Sequence, residues 1–311
     1  MKKLLVKSSG FEASSDYRPT LLLLHGWGMN SNVWKPVLPA LESRYQIHLV
    51  DLPGHGINND VNADSMQNIV ALFSDLIDEL GQEKVHIMGW SLGGLIAQAL
   101  ADEIPEKIQS LTLVASTLRF SQDESTESLW PHAMSLKVLN NFAINLHKDT
   151  EGTLKRFIAL QFMGVTGSKE IQRELIQDIC PAEDKAASSE KVPKSRGVKS
   201  GVTSESLTLG LKLLAESDFR NSVSQHPQHW LFAGKDRLIP ADVINDLKFL
   251  RSDAQITLLE NAGHAPFMTH PDEFVSAVST FIDTSKLCFV VKEIDNDINV
   301  VKSNMKSLNP I

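Results

Sequence analysis

The stretch Gly89-Trp90-Ser91-Leu92-Gly93, with Gly94 following, constrains this 311-residue chain more than any other feature. It fits G-x-S-x-G, and it stands between an apolar run, Val85-His86-Ile87-Met88, and a helical pattern from Leu92 to Glu103. A strand that turns this abruptly into a helix leaves no room for side chains on either flank, which explains the glycines. The serine is then held in a strained conformation, with Oγ projecting above the sheet edge. The helix N-terminus behind it adds positive potential where an anion would form. Such a turn requires a sheet around it, and the rest of the chain supplies one.

Short apolar runs alternate with helical patterns along the first half, which signals βαβ units and a mostly parallel sheet. Leu4 to Lys7 fits an edge strand. Leu21 to Leu24 reads as a strand covered on both faces, and Ile47 to Val50 as the next. Met66 to Leu80 carries apolar residues at helical spacing and stops at Gly81; Leu111 to Val114 is a further strand. From Leu118 to Ser217 the patterns are helical, with helices over Met134–Leu146, Leu154–Phe162 and Glu170–Ile179. Residues 185–201, rich in Ser and Lys with Pro193, Gly197 and Gly201, read as a flexible loop. Alternation then resumes: strand Trp230–Ala233, helix Ala241–Leu250, strand Ile256–Leu259, helix Asp272–Ile282. The expected organisation is an α/β core of residues 1–117 and 218–284 with helices on both faces of the sheet. A helical lid is inserted at 118–217, and a C-terminal appendage of no assigned structure follows at 285–311, where Phe289–Val291 fits a strand.

A serine hydroxyl is a weak nucleophile and needs a base, which in turn needs an orienting acid. In a sheet of this kind the chain order is serine, acid, histidine. His264, in Asn261-Ala262-Gly263-His264-Ala265-Pro266-Phe267, follows one strand. Asp236, in Gly234-Lys235-Asp236-Arg237-Leu238-Ile239-Pro240, follows the strand before it. Both are expected at the edge that carries Ser91. Asp218 and Asp242 are weaker candidates for the acid. His25-Gly26-Trp27-Gly28, directly after the Leu21–Leu24 strand, offers backbone amides for an oxyanion; the Trp27 and Leu92 amides are the expected pair. Asp51 to Gly56 reads as a structural turn. These parts imply acyl transfer to water, with Ser91 as nucleophile, His264 as base, Asp236 as orienting acid, and no metal or organic cofactor. A catalytically silent protein of the same fold is the alternative from another class, disfavoured because Ser91, Asp236 and His264 are all present.

Composition sets outer limits. The formal charge of −8 argues against a general nucleic-acid binder. No apolar run reaches the length of a membrane span. The start imitates a signal peptide, but its apolar stretch ends at Lys7. Cys180 and Cys288 have no metal or redox spacing. A monomeric cytoplasmic protein is expected.

The stretches LLLHGWGMNSNVW (Leu22 to Trp34), HLVDLPGHG (His48 to Gly56), GWSLGGL (Gly89 to Leu95), RFIALQFMG (Arg156 to Gly164), Gly234 to Pro240 and AGHAPFMTHP (Ala262 to Pro271) resemble the α/β-hydrolase superfamily. Within it they resemble the pimeloyl-[acyl-carrier protein] methyl ester esterases of biotin synthesis. The resemblance implies an α/β-hydrolase fold. It implies a substrate site lined by Trp27, Ser91, Leu92, the stretch Phe157, Ile158, Ala159, Leu160 and Gln161, and His264. Trp27, Trp90, Phe157 and Leu160 could wall a narrow apolar channel, although Phe157 and Leu160 fit lid-core packing equally well. The resemblance also implies docking of an acidic acyl-carrier protein on lid helices, here through Lys155, Arg156, Lys169 and Arg173. Gly152 stands where one family arginine is expected. A broader short-chain esterase is the enzymatic alternative.

Overall fold

Backbone pairing assembles the chain into a seven-stranded sheet in the order β1-β3-β2-β4-β5-β6-β7. The computed structural model describes residues 2–10, 18–122, 130–180, 201–223 and 226–285. The Ser/Lys-rich stretch up to residue 200 and the tail from 286 lie outside the described residues. The strands are β1 Val6–Ser9, β2 Thr20–Leu24, β3 Gln46–Val50, β4 Val85–Trp90, β5 Ile108–Val114, β6 Gln228–Ala233 and β7 Gln255–Leu259. Only β1 runs antiparallel, against β3. The others point their C-terminal ends at one edge, so the loops after β2, β4, β6 and β7 converge there. The order reverses where β2 meets β4, the place where open α/β sheets put their sites.

The apolar runs of β2 and β4, which show no alternation, are buried on both faces along their whole length. Helices α1 (Leu38–Glu42), α2 (Met66–Glu79) and α3 (Leu92–Glu103) follow the early strands. In α2 the stripe Ile69, Leu72, Phe73, Leu76 and Ile77 is buried, the Ser65 side chain caps its start, and Gly81 with φ +65° ends it. The edge strand begins two residues later than its apolar pattern suggests. The amide and carbonyl of Leu5 are taken by the Asn58 side chain, at 2.7 and 3.0 Å, in place of a ladder partner, and Leu4 before it is buried.

Between β5 and β6 lie α4 (Leu136–Lys148), α5 (Thr150–Gln161), α6 (Lys169–Ile179) and α7 (Ser204–Glu216). Side chains of Ser135, Asp149 and Thr203 cap α4, α5 and α7. Helix α4 packs on α5 and α7, and α5 on α6. The start of α7 is tied to the loop after β3: Thr203 N donates to Gly54 O at 2.9 Å, and Ser206 Oγ donates to the same oxygen at 3.2 Å. Helices α8 (Val243–Leu250), α9 (Pro266–Thr269) and α10 (residues 271–285) complete the described fold.

Candidate active site

Ser91 sits between β4 and α3 with φ 55° and ψ −116°, a conformation that costs a non-glycine residue about 1–3 kcal/mol. Its surroundings hold it there. Ser91 N donates to Val114 O at 2.9 Å, and Ser91 O accepts from Gly94 N at 2.9 Å and from the buried Ser116 hydroxyl at 3.0 Å. The flanking glycines are required by space. A Cβ on Gly89 would lie 2.3 Å from Gly93 O, and one on Gly93 would lie 2.4 Å from Leu24 O. Ser91 itself keeps 3% exposure.

The loops after β6 and β7 are laced together by Gly234 N to Leu259 O at 3.0 Å and Lys235 N to Ala262 O at 2.9 Å. This brings Asp236 and His264 to 2.7 Å, Oδ2 to Nδ1, with the two side chains 1% and 0% exposed. A carboxylate only accepts, so His264 donates through Nδ1, the arrangement in which the neutral imidazole holds its lone pair on Nε2. That Nε2 is buried without a partner among the described residues. The other Asp236 oxygen accepts from Leu238 N at 2.8 Å and Ile239 N at 3.1 Å, which fixes the carboxylate plane. His264 is further held through its backbone. Its carbonyl accepts from Trp90 Nε1 at 2.8 Å, and its amide donates to Gln161 O at 3.0 Å, a carbonyl at the end of α5 that no further helical turn could use. The residue before the serine and the last residue of α5 thus both hold the backbone of His264.

After β2 the chain makes a turn from Gly26 to Met29, closed by Met29 N to Gly26 O at 3.3 Å, with Gly28 at φ +70°. A positive φ at the third position alone is a type II turn, which favours glycine there. The turn passes close to the serine: a Cβ on Gly26 would lie 3.3 Å from Ser91 Cβ. The Leu92 amide is the first of α3 and has no acceptor within the helix. The Trp27 indole donates to Leu207 O of α7 at 2.8 Å and meets Phe157 of α5 edge-on at 4.9 Å; Phe157 in turn meets Phe142 of α4 edge-on at 5.8 Å. Helices α5 and α7 therefore set Leu154, Phe157 and Leu207 against Trp27 and Gly28 of this turn, with Phe142 of α4 behind Phe157. Below the turn, burial pushes the His25 imidazole below its ordinary value and drives His55 down to about 3. Burial alone would raise the Asp51 carboxyl, but donors to its charged form, the amides of Ile57 and Ser31 among them, hold it below its ordinary value.

The five consecutive residues Phe157 to Gln161 do not share one surface. Phe157, Ile158 and Gln161 face inward, Leu160 is half-buried and Ala159 is exposed, because a helix turns about 100° per residue. Gln161 carries a buried amide, neither atom of which has a partner among the described residues. Of the four cations on α5 and α6, all exposed, Lys155 pairs with Glu151 at 2.5 Å, Arg156 with Asp149 at 3.6 Å, and Arg173 with Glu170. Gly152 donates its amide to the capping Asp149 carboxylate at 2.8 Å. Asp218 is engaged by Arg119 and Arg220, and Asp242 heads α8; neither approaches His264 as Asp236 does. Leu207, Gly210 and Ser116 escaped the sequence reading. A Cβ on Gly210 would lie 2.5 Å from Trp27 Cδ1, so the glycine in mid-helix was the one local signal that something large packs there.

The profile of the alpha/beta hydrolase fold family matches residues 19–271. A pimeloyl-[acyl-carrier protein] methyl ester esterase of Photobacterium profundum is 36% identical over 264 residues, 84% of this chain and 94% of that one. The chain belongs to the α/β-hydrolase family. Esterases of the same name from Aeromonas hydrophila (36% over 269 residues, 85% and 95% covered) and Nitrosomonas europaea (35% over 261 residues, 83% and 93% covered) place it beside one branch of that family. Among solved structures, a hydrolase from Oleispira antarctica superposes with TM-score 0.73 at 19% identity, over 89% of this chain and 94% of its own. An esterase from Exiguobacterium antarcticum superposes with TM-score 0.72 at 17% identity, over 90% and 95%. The α/β-hydrolase fold that the resemblance implies is thus the fold this family member has. Among the described residues, no helix is long and apolar enough to cross a membrane.

Proposed function

We propose that this protein hydrolyses the methyl ester of a pimeloyl group carried on acyl-carrier protein, a step of biotin synthesis, releasing methanol and leaving a free carboxylate on the carried chain. Ser91 Oγ attacks the ester carbonyl carbon while His264 Nε2 takes the hydroxyl proton. Asp236 keeps the imidazole in the tautomer that can do this and stabilises the imidazolium. The tetrahedral oxyanion is met by the amides of Trp27 and Leu92. Collapse breaks the bond to the methoxy oxygen, which leaves as methanol with the proton from His264. Water then adds to the acyl-serine, giving a proton to His264, and the bond to Ser91 Oγ breaks as the serine regains that proton.

The observation that carries the chemistry is the buried Asp236–His264 pair with its unpartnered Nε2, tied through the Trp90 indole to the strained elbow that holds Ser91. The names of the curated relatives support the substrate. The inserted helices serve as a lid: Phe157 and Ile158 of α5, facing Trp27 and Leu92 of the core, receive a short acyl chain, with the Gln161 amide as a polar contact. Lys155, Arg156, Lys169 and Arg173 on α5 and α6 give the acidic carrier a docking face. The test is methanol release by purified protein from the carrier-bound methyl ester and from free dimethyl pimelate. A kcat/KM at least tenfold higher for the carrier-bound ester supports the reading. Equal values favour a general short-chain esterase, and no release from either overturns the esterase assignment.

A further inference from the structure

We infer that His25 is a positioning residue that aims the oxyanion-binding amide of Trp27. His25 is fully buried and its two ring nitrogens have different partners. Nε2 accepts from the Leu52 amide at 2.9 Å, so it carries no hydrogen. Nδ1 lies 2.8 Å from Gly26 O and must donate, because a carbonyl oxygen only accepts. The ring is therefore a neutral Nδ1–H imidazole, strung between the loop after β3 and the turn after β2.

The consequence follows from peptide planarity. Gly26 C=O and Trp27 N–H belong to one trans peptide unit, so the N–H points opposite to the carbonyl. Whatever holds Gly26 O therefore aims Trp27 N–H. The turn's own bond from Met29 N is long, at 3.3 Å; the imidazole is the shorter contact. Burial disfavours the charged imidazole and outweighs the pull of Asp51, in keeping with the neutral ring that the two hydrogen bonds require. A preorganised donor counts for more than a floppy one, because nothing then has to reorient as the anion forms. His25 touches no substrate atom in this scheme; it acts through the peptide.

The inference rests on the reading of Trp27 as an oxyanion donor, and the tests separate the two. H25Q puts an amide at the Nε2 position, keeping an acceptor for Leu52 N while withdrawing the donor from Gly26 O. H25N puts an amide nitrogen where Nδ1 stands. Loss of a whole oxyanion donor costs roughly 10²–10³ in kcat, so a misaimed one is expected to cost on the order of 10–100-fold. With a soluble ester, H25Q should lose that much kcat with KM within about twofold, and H25N should recover most of it. A trifluoromethyl ketone, whose serine adduct carries the same oxyanion, should weaken in parallel with kcat for H25Q. Equal losses in both variants, or unchanged ketone affinity in H25Q, overturns the inference. Nitrogen-15 NMR of the wild-type protein does not depend on a variant folding: His25 should report an Nδ1–H tautomer, and an Nε2–H tautomer or an imidazolium overturns it. A structure of the wild-type ketone adduct checks the premise separately. If its oxygen lies away from Trp27 N, the oxyanion reading fails whatever His25 does.

Discussion

Asp236→Asn isolates the orienting role of the carboxylate without changing its size. In the native site one carboxylate oxygen accepts from Leu238 N at 2.8 Å and Ile239 N at 3.1 Å, and the other faces His264 Nδ1 at 2.7 Å. An asparagine must keep its oxygen toward the two amides, because the reverse orientation would set NH₂ against two N–H donors. Its NH₂ then faces His264, which can only accept, so the imidazole hydrogen moves to Nε2. The nitrogen that should take the serine proton now carries one. A wrong-tautomer lesion of this kind costs about 10⁴ in kcat, or about 5.4 kcal/mol of transition-state stabilisation. The assay is steady-state hydrolysis of a soluble ester, with thermal unfolding alongside; the retained amide contacts should keep Tm within a few degrees. Activity within tenfold of wild type, or a loss that merely tracks unfolding, would refute the tautomer argument.

Other outcomes follow from the same contacts. Gly93→Ala drives a methyl group to 2.4 Å from Leu24 O, so it should cost about 1–3 kcal/mol in urea unfolding and abolish turnover in whatever folds. Burial lowers His55 to about 3 and His229 to about 4 from an ordinary value of 6.5. Below pH 6.5 the unfolded chain therefore binds protons that the folded one refuses, and stability is lost as pH falls from about 6.5 toward 4. At pH 5 this amounts to roughly 2 kcal/mol for each histidine, measured as unfolding free energy against pH; a flat profile from pH 7 to 5 would contradict it. The double reversal R156E and R173E should slow hydrolysis of the carrier-bound ester, most at low salt, and leave a short soluble ester unchanged. Because Asp149 and Glu170 already engage these arginines, each single reversal should have a smaller effect than the pair.

What the sequence reveals and what it hides divides along physical lines. The elbow, most strand runs and the places of Ser91, Asp236 and His264 after β4, β6 and β7 are legible because each is a local pattern: a glycine-flanked turn, a both-face apolar run, a loop after a strand. The start of β1 was misplaced because register depends on pairing with β3 and on Asn58, far along the chain. Helix α7 was missed as a separate element, and with it the support of the Trp27 indole by Leu207 O, since that contact joins residues 180 apart. Ala159 belongs to the outer face of α5, which the helical period alone could have shown. The same holds for Glu151 and Lys155, whose i,i+4 spacing announces a pair that damps the docking charge. The tie from His25 to Gly26 O and Leu52 N has no signature in the sequence beyond a histidine before a glycine.

Exposure to a fluorophosphonate followed by peptide mass spectrometry tests the centre of the account most directly. A single phosphonyl group should appear on the peptide containing Ser91, at a rate that falls by orders of magnitude in His264→Ala, and it should be absent from Ser91→Ala. A modified residue elsewhere, or an unmodified protein under conditions that label other serine esterases, would contradict the proposal that Ser91 is the nucleophile.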